Sequence, residues 1–264
     1  MPTLTGRVAL VTGSTSGIGK GIAEHFAALG ASLVVHGREV EAGERVVAGI
    51  RERGGQAIFQ PGDVADEAVC RDLVRAAVDH FGGLDVLVNN AASTARGSLE
   101  SAPLAFWDRM LAINLRAPFI LMQEALAVMK TRGGGSIVNI GSINAYCGME
   151  TLGPYSVSKG ALMTMTRNAG TAFAKHHVRV NQLNVGWTLT EGEDRVKREE
   201  EHLAANWLDD AVKTRPFGRL LLPQDIAHAA AYFASDDSAA ISGSVLDLEQ
   251  FAICLLYTSP SPRD

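Results

Sequence analysis

A doubly wound α/β fold, a single mostly parallel sheet of about seven strands with helices on both faces, is what the sequence predicts. Short apolar runs of strand length alternate with stretches of helical periodicity along nearly the whole chain. The first of these runs leads straight into a glycine-rich turn and a helix. No second pattern or internal repeat interrupts the alternation.

The first strand is Arg7-Val8-Ala9-Leu10-Val11, and Thr12-Gly13-Ser14-Thr15-Ser16-Gly17-Ile18-Gly19 follows it at once. A helix from Lys20 to Leu29 comes next, with Gly30 as its stop. A glycine turn in this setting lets backbone amides approach a pyrophosphate, and the helix N-terminus adds partial positive charge. Ser32 to His36 is the second strand, and a helix covers about Glu39 to Arg53. Ala57 to Gln60 is the third strand, ending in Gly62-Asp63-Val64 before an amphipathic helix from Asp66 to Phe81. Asp85 to Val88 is the fourth strand and ends in Asn89-Asn90-Ala91-Ala92. A long helical region spans about Pro103 to Lys130, where Pro118 is expected to break or kink it. Gly133-Gly134-Gly135 turns into the fifth strand, Ser136 to Ile140. The helix carrying Tyr155 runs to about Lys175, Val178 to Leu183 is the sixth strand, and Ser242 to Leu248 the last.

Ligands of such sheets sit at the carboxyl ends of the strands, where Gly13, Asp63, Asn89, Ser142 and Gly186 all fall. Tyr155 and Lys159 are four apart and so share one helix face. A free phenol, with a pKa of about 10, is a poor base near neutrality. A fixed cation favours the phenolate and makes tyrosine a usable general acid/base. Ser142 ends its strand where its hydroxyl can reach the same spot. A surface ion-pair partner or a strand-end serine is the plain alternative for these residues.

Composition sets the bounds. A chain of 264 residues with 47% hydrophobic content can bury one large core. The net charge of −5 is scattered, which argues against nucleic acid as a partner. No uninterrupted apolar run approaches about 18 residues, so no membrane-spanning helix is expected. The N-terminus lacks a signal-peptide pattern. Cys70, Cys147 and Cys254 have neither pairing nor metal spacing, which suits a reducing cytoplasm; no metal site is expected, His176-His177 included.

With these residues in order, the sequence resembles the short-chain dehydrogenase/reductase family. The likeness runs from about residue 7 to 248. It rests on the TGxxxGIG turn at Thr12–Gly19, Asp63, Asn89-Asn90-Ala91, Asn114, Ser142, Tyr155 and Lys159. It implies a Rossmann-type enzyme that interconverts a secondary alcohol and a ketone with NAD(P)(H), through a catalytic group of Asn114, Ser142, Tyr155 and Lys159. Ser142 is then expected to hold the substrate oxygen and Tyr155 to pass a proton. Lys159 would bind the nicotinamide ribose and depress the tyrosine pKa, and Asn114 would hold a relay water. The cofactor set is Gly13, Ser14, Thr15, Ser16, Gly17, Ile18, Gly19, Arg38, Asp63, Val64, Asn89, Ala91, Gly186, Thr188 and Thr190, with Tyr155 and Lys159. Within it, Asp63 and Val64 would flank the adenine, Asn89 the adenosine side and Thr190 the nicotinamide amide.

Cofactor choice is argued from charge. His36-Gly37-Arg38 ends the second strand without a carboxylate before Glu39, and an arginine there suits the 2′-phosphate of NADP(H). NAD(H) stays as the alternative, since Ser16 stands where a second basic residue is usual. The family's Pro-Gly after the sixth strand is Val185-Gly186 here, and the first alanine after Asn90 is followed by Ala92 where glycine is usual. Residues 188–215 are expected to form a lid over the substrate. Asn144, Tyr146, Met149, Trp187, Thr188 and Trp207, with Ser142 and Tyr155, are the pocket candidates, and their polarity tilts the substrate towards a sugar or polyol. A 3-oxoacyl-[acyl-carrier-protein]/CoA reductase is the runner-up, and a non-catalytic dinucleotide sensor or scaffold the reading from another class. Residues 1–253 are expected to be one NAD(P)-binding domain and 254–264 a non-native tail, with two prolines in its last five residues. By resemblance the chain is a cytoplasmic homo-oligomer, a dimer or tetramer, acting on a small molecule. Glu249-Gln250 replace glycines usual near its end.

Overall fold

The computed structural model describes residues 2–146, 148–202, 204 and 206–251; Cys147, Cys254 and the 254–264 segment lie outside them. Each apolar run becomes a strand: β1 (Val8–Val11), β2 (Ser32–Gly37), β3 (Gln56–Pro61), β4 (Val86–Asn89), β5 (Gly135–Ser142), β6 (Val178–Val185) and β7 (Val245–Leu248). All pair in parallel in the order β3-β2-β1-β4-β5-β6-β7. The order reverses between β1 and β4, which opens a crevice at their carboxyl ends.

Nine α-helices are described: α1 (Gly17–Ala28), α2 (Val40–Glu52), α3 (Glu67–Phe81), α4 (Leu104–Leu111), α5 (Ala117–Thr131), α6 (Gly153–Ala174), α7 (Glu191–Arg195), α8 (Trp207–Lys213) and α9 (Pro223–Ala234). Alternation along the strands splits the core into two layers. Ala9 and Val11 pack with Ile22, Phe26, Ile226 and Phe233 on one face. Val8 and Leu10 pack with Leu73, Leu121 and Met129 on the other. The strands are therefore buried on both sides, which is why they read as continuous apolar runs.

Helix ends follow local chemistry. Asp66 caps α3 by accepting from the Ala68 N–H at 2.9 Å, and Gly82 closes that helix at φ 79°. Helix α9 was not among the expected elements. Its signals are Pro223 at the first turn and Asp225, which accepts from the Leu222 N–H at 2.8 Å; it packs on α1.

Pro118 neither breaks nor sharply ends its helix. A π turn at Ala112–Arg116 joins α4 to α5, so one continuous helical stretch runs from Leu104 to Thr131. The turn closes with the Ala117 N–H donating to the Ala112 carbonyl, and Pro118 follows in the first turn of α5, where its missing N–H is tolerated. By length and composition this stretch is long and apolar enough to cross a membrane, against expectation. Its apolar residues Leu121, Ala125 and Met129 are buried against the sheet, which accounts for its composition. The last strand is shorter than its sequence suggests, beginning at Val245, because Ser242 and Gly243 turn to meet β6 backbone.

The opposite end of the sheet is tied by Asp85. Its side chain, 6% exposed, accepts from the Val8 N–H at 2.8 Å and from Arg132 at 2.9 and 3.1 Å. Asp85→Ala strands a buried N–H and unpairs Arg132. It is expected to lower unfolding free energy by about 2–3 kcal/mol, measured by urea denaturation.

Candidate active site

A cleft of about 1110 Å³ lies over the carboxyl edge of the sheet. The glycine turn forms one wall. Gly13 and Gly17 have φ of 63° and 52°, which side chains resist. A Cβ on Gly19 would collide with the Gly13 carbonyl and Asn90, so its absence lets α1 close onto the turn. Ser16 at the helix N-cap makes no side-chain cap, leaving the first amides of α1 facing the cleft. Thr15, Ser16, Gly17, Ile18 and Gly19 all line it with Gly13. This is the geometry a pyrophosphate requires.

Ser14 is a correction. It is fully buried, donates to the Val11 carbonyl at 2.7 Å and accepts from the His36 N–H at 3.0 Å, so it braces the turn from behind. Asn89 is another. Strand alternation turns it into the core, where its Nδ2 donates to Asn139 Oδ1 at 2.8 Å. Its neighbour Asn90 lines the cleft and donates to the Thr12 and Gly13 carbonyls at 2.9 and 3.1 Å. His36 closes the same clamp. Its Nδ1 accepts from the Gly13 N–H at 3.1 Å and its Nε2 faces the Gly62 carbonyl at 3.2 Å. Burial lowers its pKa to about 4, the Gly62 carbonyl and Asp63 opposing, so the ring is neutral with Nε2 as donor.

Arg38, Asp63, Val64 and Ala91 also line the cleft. Asp63 is ion-paired with Arg109. Burial opposes ionisation of Asp63, but the bonds from Arg109 and the Ala65 N–H, with the charges of Arg109 and Arg38, hold its carboxyl below the usual range. Arg38 is exposed and makes no ion pair or hydrogen bond among the described residues.

At the other end, Ser142, Tyr155 and Lys159 meet. Ser142 is the last residue of β5, and Tyr155 and Lys159 lie one turn apart on α6. The Tyr155 phenol is enclosed, although the residue as a whole is only partly buried. That burial raises its pKa above the ordinary 10; a hydrogen bond with Ser142 and the charge of Arg96 pull it down, and Glu193 adds to the rise. The expectation that Lys159 depresses the tyrosine is not met in this state. Its Nζ donates to the Ile140 carbonyl at 2.7 Å and sits 5.8 Å from the Tyr155 ring centroid. Burial lowers the pKa of Lys159 itself to about 8.

Asn114 does not line the cleft. Its side chain, in the π turn, bonds both backbone groups of Ser93 at 2.8 and 2.9 Å and donates to Ser158 Oγ at 3.0 Å. Ser158 in turn donates to the Tyr155 carbonyl at 2.6 Å, so Asn114 anchors the helix that carries the tyrosine. Sequence reading passed over Asn90 and Ser158, whose roles depend on which way each side chain turns.

Gly186, Trp187, Thr188 and Thr190 line the rim after β6, with Asn144 and Met149 opposite. Two pocket candidates are elsewhere. Tyr146 turns outward and donates to Asp247 at 3.2 Å. Trp207 is buried behind Trp187, stacked at 5.9 Å, with its Nε1 donating to Asp194 at 2.8 Å. Together with Ala211 and Leu220 these rings form a separate small core under residues 188–215.

A strand–glycine turn–helix facing a buried tyrosine and lysine across one cleft defines a dinucleotide-dependent oxidoreductase site. The comparisons agree. A family model described as enoyl-(acyl carrier protein) reductase matches residues 13–249. An uncharacterised oxidoreductase of Thermotoga maritima is 38% identical over 89% of this chain and 91% of its own length. Gluconate 5-dehydrogenase of Gluconobacter oxydans is 33% identical over 92% of this chain and 93% of its own. A 3-oxoacyl (acyl-carrier-protein) reductase from Agrobacterium tumefaciens, solved with NADP bound, superposes with a TM-score of 0.84 at 31% identity, covering 93% of this chain and 94% of that one. The chain belongs to the short-chain dehydrogenase/reductase family. It is an NAD(P)-dependent oxidoreductase of alcohols and ketones.

Lys159 titrates at 10.5 unfolded and about 8 folded, so between those values the unfolded chain holds more protons and stability rises with pH. At neutral pH the buried ammonium therefore costs stability, in part offset by Ile140. Lys159→Met is expected to stabilise the cofactor-free protein by about 1–3 kcal/mol at pH 7. That gain is expected to shrink as pH rises through the window, followed by urea denaturation at several pH values.

Proposed function

We propose that the protein is an NADP(H)-preferring enzyme that interconverts a secondary alcohol and a ketone on a small polyhydroxylated molecule. The observation that carries the cofactor preference is Arg38, an exposed guanidinium just after β2 that makes no ion pair or hydrogen bond among the described residues, with the nearby carboxylate Asp63 already paired to Arg109. An unspent arginine meets a phosphate with a planar fork, whereas a ribose 2′-hydroxyl calls for a carboxylate. Asn144, Thr188, Arg96 and Glu193 on the cleft wall support a polar substrate, as does the gluconate-oxidising relative.

When bound, the nicotinamide supplies the hydride acceptor or donor. Gly13 and the first turn of α1 would hold the pyrophosphate, Asp63 and Val64 would flank the adenine, and Ala91, Gly186, Thr188 and Thr190 would line the path to the nicotinamide. Ser142 would donate to the substrate oxygen. Tyr155, kept protonated by burial, would deliver its proton to that oxygen in reduction and take it back in oxidation. Lys159 would exchange its Ile140 bond for the ribose. The Asn114 side chain is fully engaged, so a relay water would rest on its backbone carbonyl, which has no α-helical partner because Pro118 carries no N–H. Residues 1–253 would act as one domain, in the cytoplasm and as a dimer or tetramer.

Reduced nicotinamide formation with NADP and NAD, against sugars, polyols, simple secondary alcohols and 3-hydroxyacyl thioesters, tests this reading. Faster turnover of polyhydroxylated alcohols with NADP is expected, and Tyr155→Phe should cut kcat by at least about 100-fold while retaining NADPH. Arg38→Ala should weaken NADPH about tenfold or more and leave NADH within about twofold. Turnover of thioesters alone would favour the 3-oxoacyl reductase reading. Cofactor binding without turnover of any of them would favour a sensor.

A further inference from the structure

Glu249 stands where the sequence departs from its family, and the structure gives the departure a form. Its side chain is 2% exposed, yet it lines the cleft. One oxygen, Oε1, accepts from the Gln250 N–H at 2.6 Å and lies 4.0 Å from Arg215 Nη1. The other, Oε2, is buried without any hydrogen-bond partner among the described residues. It lies against Gly186, where a Cβ would overlap it, so glycine at that position is what admits the carboxylate. Strand register puts Glu249 one residue beyond Leu248, which pairs with Val185, itself paired with Ser142. The orphan oxygen therefore shares the sheet edge on which Ser142 sits.

The carboxylate is also held in place. Gln250 Oε1 accepts from the Phe217 N–H at 3.0 Å, and its Nε2 donates to the Arg219 carbonyl at 2.6 Å. Arg215 stacks 5.4 Å from the Trp187 ring, joining the same corner to the cleft wall. A buried carboxylate oxygen with no donor carries the full cost of lost hydration, and a bound molecule that donates to it recovers that cost.

We propose that Glu249 Oε2 is a specificity-determining acceptor subsite, filled by an N–H or O–H donor of a bound molecule. Two donors share this chemistry, the amino group of the nicotinamide carboxamide and a hydroxyl of the substrate. The inference rests on the oxidoreductase reading above, and its cofactor arm is independent of any substrate.

The test compares wild type with Glu249→Gln and Glu249→Gly. In the glutamine variant the Gln250 N–H keeps the amide oxygen at the Oε1 position, so an NH2 group replaces the acceptor at Oε2. Thermal melting establishes that each variant is folded. Fluorescence titration gives the NADPH dissociation constant, and competition gives that of the 3-acetylpyridine analogue of NADP, which lacks the carboxamide amino group. Weakening of NADPH by about tenfold or more in both variants, with the analogue unaffected, identifies the carboxamide as the donor. Unchanged NADPH binding, with about a tenfold fall in the kcat/KM ratio of sorbitol or gluconate to 2-butanol, identifies a substrate hydroxyl. Unchanged NADPH binding with that ratio unchanged, or with no such preference in wild type to lose, overturns the proposal. A wild type that binds NADPH and oxidises none of these alcohols counts against the polyol reading, and the NADPH arm still decides on Glu249.

Discussion

Parallel pairing is the constraint on which the rest depends. Because every strand runs the same way, all seven carboxyl ends lie on one edge, and residues distant in sequence meet there without any special device. Ser142, Val185 and Leu248 stand in one row across three strands, which is how Ser142, Gly186 and Glu249 come to border the same cleft. The reversal between β1 and β4 opens the crevice into which the glycine turn and Asn90 project. Two apolar layers pack the sheet against helices on both faces, which fixes that edge.

The site holds there a cation that burial disfavours. Lys159 is retained as a buried cation by a single carbonyl, and Tyr155 is kept protonated by the same enclosure. Both are the states these side chains hold in water near neutrality; enclosure reinforces the phenol and works against the ammonium. The chain Asn114–Ser158–Tyr155 carbonyl fixes the helix that carries both, and the π turn is what lets Asn114 reach it. Pro118, expected from sequence to break or kink the helix, follows directly on that turn. A local irregularity thus places the helix that carries Tyr155 and Lys159, while the strand edge places Ser142 beside it.

Polar clamps behind the cleft carry as much of the design as the residues that face it. Thr12 Oγ1 accepts from the Asn90 and Ala91 N–H groups, both at 3.0 Å, and Asn90 and His36 then secure Gly13 from either side. On the substrate side, Trp187 is wedged between Trp207, Lys197 and Arg215, with its Nε1 donating to Glu193 at 2.7 Å. Glu193, Lys197 and Glu201 therefore tie the charged stretch after β6 to the cleft wall; Glu201 accepts from Lys197 at 2.6 Å and from Arg96 at 3.1 Å.

The sequence by itself determined the order of strands and helices, the glycine turn and the meeting of Ser142, Tyr155 and Lys159, because periodicity, turn chemistry and helix spacing are local. Even α9, passed over, carries its proline and aspartate signals in plain view. What only the tertiary structure decided were the directions of single side chains. Asn89, the last residue of β4, points inward, and Asn90 just beyond it is drawn to the Thr12 and Gly13 carbonyls; a run of two asparagines does not say which is which. Tyr146 turns to Asp247 and Trp207 sits behind Trp187 because partners about a hundred and about twenty residues away, respectively, compete for them. The buried, half-satisfied carboxylate of Glu249 is of the same kind: its environment is made by Gly186 and Arg215, which adjoin it only once the sheet has formed.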